Sequence, residues 1–255
     1  PPTPRPIPPA PVPPRPHYPT PTPRPAGPAA ATVGTTRIAK VIGDRLSSTI
    51  YAYTTRGWLY RSDLDGRAWQ LVVANPPVDD FLMSAADPNV LYSGAGQSCA
   101  SSAATIAPMY KSIDGGYTWT ELPGGLDLKP LLIDPANPDN VFAADCATIY
   151  LSTDGGETWS PKPANAADNL WQTYIPVALA SGSLVGNPQP ATPHWEQLFG
   201  AGNDLQNVGV VAFSGDVGDT WANITSATDA LKDVTDVEAS LYEGGKLWVV
   251  DSQGV

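Results

Sequence analysis

The chain has little charge, and most of what it has is acidic: of 255 residues only 15% are Asp, Glu, Lys or Arg, with 14 basic against 25 acidic side chains and a net charge of −11. No basic surface is available to neutralise a phosphate backbone, which argues against nucleic acid as a partner. Histidine, cysteine and methionine occur twice each. His17 and His194 both lie in Pro-rich stretches, so the spacing assembles neither a zinc site nor a histidine base beside a nucleophile. No phosphate-cradling Gly motif occurs, and no cofactor or metal is implied. Long apolar runs are missing: the longest are short, such as Val208 to Phe213, against the ~18 to 20 residues of a membrane-spanning helix. Helical periodicity is missing as well, except around Ala227 to Val234.

Proline is abundant but uneven. Residues 1–28 hold fifteen of the 29 prolines, three arginines and no acid, so a basic, Pro-rich segment precedes an acidic body. Such a segment lacks backbone donors and adopts extended polyproline II, spanning roughly 85 Å over this length. It is expected to form an extended arm over 1–32, either a stiff stalk or an arm that docks by charge on a neighbouring acidic body. Thr3, Thr20 and Thr22 beside proline fit the composition of O-glycosylated stalks. Asn223-Ile224-Thr225 is a glycosylation sequon.

From Thr32 onward, short alternating apolar runs such as Thr49 to Tyr53, Val90 to Ser93, Val141 to Ala144 and Leu247 to Val250 predict strands and an all-β body. One phrase recurs. Ser112-Ile113-Asp114-Gly115-Gly116-Tyr117-Thr118-Trp119 is matched by Ser152, Asp154, Gly156, Thr158 and Trp159, and again by Ser214, Asp216, Gly218, Thr220 and Trp221. A worn copy runs from Ser62 to Trp69, with Leu64 in place of Asp. A second phrase precedes two copies: Asp87-Pro88-Asn89-Val90 and Asp134-Pro135-Ala136-Asn137-Pro138-Asp139-Asn140-Val141. The S-x-D-x-G-x-T-W phrase reads as a hairpin turn. Gly supplies positive φ, Asp and the hydroxyls bond to turn amides, and Trp packs as the next strand begins. Trp spacings of 50, 40 and 62 residues describe units of about 40 with insertions, which is the length of a propeller blade.

These residues resemble the Asp-box (BNR) repeat of β-propellers in the sialidase, xyloglucanase and sortilin-like superfamily. The resemblance implies an all-β Asp-box propeller with about 4.5 blades. Approximate boundaries are 33–73, 74–123, 124–164, 165–222 and an incomplete 223–255, which suggests a piece of a larger ring. It also implies that Ser112, Asp114, Gly116, Trp119, Ser152, Asp154, Gly156, Trp159, Ser214, Asp216, Gly218 and Trp221 shape turns on the outer edge of the blades and do no chemistry.

Each activity found among such proteins demands particular residues. Sialidases of this type hold the substrate carboxylate with three arginines from different blades, and the photosystem II assembly factor relies on an Arg-rich patch. Here no arginine follows Arg67. Xyloglucan-type hydrolases need two facing acids. The stretch Tyr53 to Arg61, where that family carries one, has no Asp, leaving Asp79, Asp80, Asp127 and Asp236, with Glu238, as candidate substitutes. Cys99 and Cys146 are candidates for a disulfide between adjacent blades; closing a loop of about 48 residues would stabilise by about 4 kcal/mol in the chain-entropy treatment. Trp195, in the insertion, is a candidate for sugar stacking or subunit contact, whereas Trp58, Trp171 and Trp248 are expected between blades. The reading is an exported, extracellular, non-catalytic structural or binding propeller that self-associates through its arm. The alternative is a glycan-binding or glycoside-hydrolase-like propeller.

Overall fold

A computed structural model describes residues 37–43, 48–63, 66–74, 80–96, 107–164, 169–182, 195–226, 230–239 and 246–252. The Pro-rich arm with Thr3, Thr20 and Thr22, together with Asp79, Cys99 and His194, lies outside them. The described chain is all-β apart from a 3-10 turn at Leu170–Gln172. No helix among the described residues is long and apolar enough to cross a membrane.

Four sheets are four-stranded antiparallel meanders in which sequence neighbours are spatial neighbours. Blade 1 comprises β1 (Ile38–Gly43), β2 (Ile50–Thr54), β3 (Trp58–Ser62) and β4 (Gln70–Ala74). Blade 2 comprises β5 (Phe81–Met83), β6 (Leu91–Ser93), β7 (Tyr110–Ser112) and β8 (Thr120–Glu121). Blade 3 comprises β9 (Lys129–Ile133), β10 (Val141–Ala144), β11 (Ile149–Ser152) and β12 (Ser160–Lys162), and blade 4 comprises β13 (Ile175–Ser181), β14 (Leu198–Asn203), β15 (Gly209–Ser214) and β16 (Ala222–Asn223). A fifth sheet holds β17 (Asp236–Ala239) and β18 (Leu247–Val250). The sequence places Leu247 to Val250 on the way into a third strand. In the structure it is the second, paired directly with β17 through Val237↔Val249 and Glu238↔Trp248.

The first strands, β1, β5, β9, β13 and β17, all line one central cavity, so the sheets radiate from a common axis as a β-propeller does. Four apolar clusters fill the four joints between successive sheets. Alternation explains how: along each strand one face turns to the preceding blade and the other to the following one, so both faces are buried. Trp171 is fully buried in the joint between blades 3 and 4, with the Trp221 ring edge-on at 5.0 Å.

The joints also carry polar latches. Tyr51 of β2 donates to the Pro88 carbonyl of blade 2 at 2.8 Å, and Tyr92 of β6 repeats the bond one blade on, to Pro138 at 2.9 Å. Beside them, the Arg61 guanidinium donates to Asn89 at 2.7 Å and Lys111 pairs with Asp139 at 2.9 Å. Burial, the largest influence on Tyr51, pushes its hydroxyl pKa well above the ordinary tyrosine value. At the third joint Trp195 packs its ring 4.9 Å from that of Phe142. Trp195 therefore belongs to a joint and is only partly exposed, which leaves little of it for a sugar.

Candidate functional site

In a meander, the turns joining strands one to two and three to four fall at one end of the sheet, and the two-to-three turn and blade crossovers at the other. The three S-x-D-x-G-x-T-W turns join third and fourth strands, at the first of these ends and on the outer half of each blade. They are near-copies. The buried serine hydroxyl donates to the aspartate at 2.9, 2.7 and 2.8 Å and accepts the Gly amide at 2.8 Å in each case. The aspartate also accepts the Thr118, Thr158 and Thr220 amides at 2.9, 2.9 and 2.8 Å, and their hydroxyls at 2.8, 2.5 and 2.7 Å. Hydrogen bonds to the ionised form hold these carboxyls low: Asp154 falls to about 2, the Thr158 hydroxyl being the largest cause. Asp114 and Asp216 are also lowered, their turn bonds outweighing the opposing effect of burial. These carboxylates are engaged within their own turns, and none lines the cavity. The worn copy keeps the bond from the Gly66 amide to the Ser62 hydroxyl, at 3.0 Å.

The central cavity, about 580 Å³ in volume, runs along the first strands of all five sheets. Its charged lining comes from separate blades: Lys40 of β1, Asp80 just before β5, Lys129 opening β9, and Asp236 and Glu238 of β17. The carboxylate of Asp80 is clasped on both oxygens. Oδ1 pairs with Lys40, and Oδ2 with Lys129 at 2.8 Å. Burial acts to raise its pKa, but the two ammonium groups together outweigh burial and hold Asp80 below the ordinary carboxylate value. The remaining described lining is mostly aliphatic, supplied by Leu82, Met83, Leu131 and their neighbours, with the hydroxyls of Ser181 and Thr235, and contains no aromatic ring.

Of the four candidate acids, Asp80 and Asp236 line the cavity, whereas Asp79 lies outside the described residues. Asp127 does not reach the lining; it sits at φ 62° in the turn before β9 and accepts the Ala107 amide at 3.1 Å. That bond explains the acid as a loop clamp, since Asp tolerates left-handed backbone and bonds locally. Cys146, in the turn between β10 and β11, is disulfide-bonded. Asn223 is exposed on β16, the outermost strand of blade 4. Trp248, expected between blades, is 48% exposed because no described sheet follows blade 5. Among the described residues no group of three or more His, Cys, Asp or Glu side chains could hold a metal.

Sequence reading missed Lys40 and Lys129. Lys40 is the third residue of β1 and Lys129 the first of β9, but nothing local marks them, because the clasp forms only once three blades stand side by side.

No protein-family model matches the chain, and no curated protein is similar to it in sequence. Solved structures are similar in fold. The GH74 xyloglucanase from Xanthomonas campestris superposes with a TM-score of 0.56 at 19% identity, covering 81% of this chain and 33% of its own. YCF48 from Cyanidioschyzon merolae gives 0.50 at 13% identity, covering 85% and 64%. A chain of a mitotic checkpoint complex gives 0.53 at 9%, covering 85% and 59%. At these identities the likeness establishes the β-propeller fold alone. The chain spans about a third of the xyloglucanase it matches.

Proposed function

We propose that this chain is an exported, non-catalytic propeller of the Asp-box kind that binds and assembles. In this reading it is a subunit of a cell-surface array whose basic Pro-rich arm lies on a neighbouring acidic body. The observation that carries it is the clasp on Asp80. An inverting or retaining glycosidase needs a carboxylic acid whose pKa is raised so that it can protonate a leaving group. Asp80 is held the other way, ionised and occupied on both oxygens. A clasped carboxylate ties three blades together and leaves the spare ammonium donors facing the cavity. The disulfide at Cys146, which we pair with Cys99, fits an oxidising compartment.

Deleting residues 1–28 tests the assembly part: a folded, monomeric body supports it, and a truncated chain that assembles as before refutes it. The second reading, a glycan-active or glycan-binding propeller, is favoured by the carboxylates of Asp80, Asp236 and Glu238 around one cavity. Screening for hydrolysis of plant and bacterial polysaccharides, with Asp80→Asn as control, separates the two. Turnover abolished by Asp80→Asn would establish the second reading.

A further inference from the structure

The lysine pair on Asp80 has the form of an oxyanion site that already carries one tethered carboxylate. Lys40 and Lys129 come from blades 1 and 3, yet both ammonium groups converge on the carboxylate just before β5. Among the described residues Asp80 is the only side-chain partner of either. An ammonium group has three donors, so two are left on each lysine. Both lysine side chains line the cavity and stay more exposed than the carboxylate between them.

The main chain holds this arrangement in advance of any ligand. The Asp80 carbonyl accepts the buried Ser93 hydroxyl at 2.9 Å and the Gly94 amide at 3.2 Å. Gly96, at φ 68°, runs so close to Lys129 that a Cβ there would lie 3.0 Å from the Lys129 Cβ, so backbone walls the lysine stem. Side chains positioned in this way lose little freedom when a ligand arrives.

The rest of the lining says what such an anion is attached to. Two ammonium groups, of Lys40 and Lys129, stand among three carboxylates, of Asp80, Asp236 and Glu238. That balance repels a polyanion, whereas a single oxyanion group needs only the lysine pair. Aliphatic side chains with the Ser181 and Thr235 hydroxyls make up the other described walls, without an aromatic ring for a sugar or base to stack on. The volume, about 580 Å³, is that of a small-molecule site.

We propose that the cavity binds a small organic carboxylate, one carboxylate group on a neutral, chiefly aliphatic body, with its oxygens bridging Lys40 and Lys129 beside Asp80. This inference rests on the non-catalytic binding reading and names the ligand class of its cavity. Asp80 then has two opposed effects: it gathers the lysines, and it competes with the ligand for their charge.

The test titrates the full 255-residue chain with hexanoate at pH 7 and reads dissociation constants by ligand-detected NMR, with 1-hexanol and inorganic phosphate as the other probes. Hexanoate is expected to bind at least about tenfold more tightly than either, because the alcohol lacks the charge and phosphate carries too much of it. Lys40→Met and Lys129→Met should each weaken hexanoate by about tenfold through a lost charge-assisted bond. Asp80→Asn should instead tighten it by roughly threefold, since a competing like charge is removed. A clasp that serves only to hold blades would give the opposite sign. Circular dichroism checks folding, and Lys40→Gln and Lys129→Gln repeat the design should a Met variant fail to fold. The proposal is overturned by hexanoate that does not bind, that binds no better than hexanol or phosphate, that binds both lysine variants as well as wild type, or that is lost in Asp80→Asn. None of these results touches the assembly reading, which stands or falls on the arm deletion.

Discussion

The two ends of the blades hold their acids in opposite ways. At the turn end Asp114, Asp154 and Asp216 make the same bonds at nearly the same distances in three blades, each within five residues of chain. At the opposite end, just before β5, Asp80 is held once, by lysines from two other blades. A feature copied in every blade serves what every blade must do, namely turn a strand; a feature present once serves something particular to the whole ring. Recurrence therefore separates the acids that build the turns from the one acid clasped between blades, where burial and proximity alone would not.

Substitutions that strike the repeated end should cost the most. Gly116 sits at φ 88°, and a Cβ there would lie 2.9 Å from a Leu59 methyl and 3.2 Å from one of Leu91 in the first joint. Gly116→Val is expected to destabilise by about 3 kcal/mol in urea unfolding, from backbone strain and overpacking together. Gly43 offers the contrast on an open face, its nearest neighbour being Ile50 at 3.4 Å, and Gly43→Ala should stay within about 0.5 kcal/mol of wild type. Breaking a latch comes next: Arg61, largely buried, bonds Tyr51, Asn89 and Asp63, and Arg61→Met should lose about 1 to 2 kcal/mol.

The acid limb sharpens the same comparison. The turn aspartates have folded pKa values depressed below their unfolded value of about 4, so their stabilisation is fully present above that pH. It is lost as pH falls towards the folded value, about 2 for Asp154. Unfolding midpoints measured from pH 5 down to pH 2 should fall steeply, and Asp154→Asn should be less stable at neutral pH with a shallower decline. Among the charged groups the smallest stability change is expected from Asp80→Asn, within about 1 kcal/mol of wild type, because the clasped group is partly solvated and screened. A loss as large as that of Gly116→Val would show that the clasp is as architectural as the turns.

What could be read in the sequence follows the same division. The turns were legible because Ser112, Asp114, Gly116 and Thr118 bond to one another locally, so the chemistry of the motif is written in consecutive letters. The all-β body was legible from alternation. Alternation did not say which faces would be covered: Tyr51, Phe142 and Trp248 look alike in the sequence, and only the stacking of blades buries the first two and leaves the third exposed. Lys40, Asp80 and Lys129 were illegible as a group for the same reason, each being an ordinary charged residue until the first strands converge on the axis.

The protonation of Asp80 tests the binding reading most directly. A carboxyl carbon NMR titration of the intact chain, assigned by Asp80→Asn, should show this group ionising below the ordinary aspartate value of about 3.9, and moving upward in Lys40→Met and Lys129→Met. A carboxyl that instead stays protonated above about pH 6 would be poised as a proton donor and would contradict the assignment of this cavity to binding.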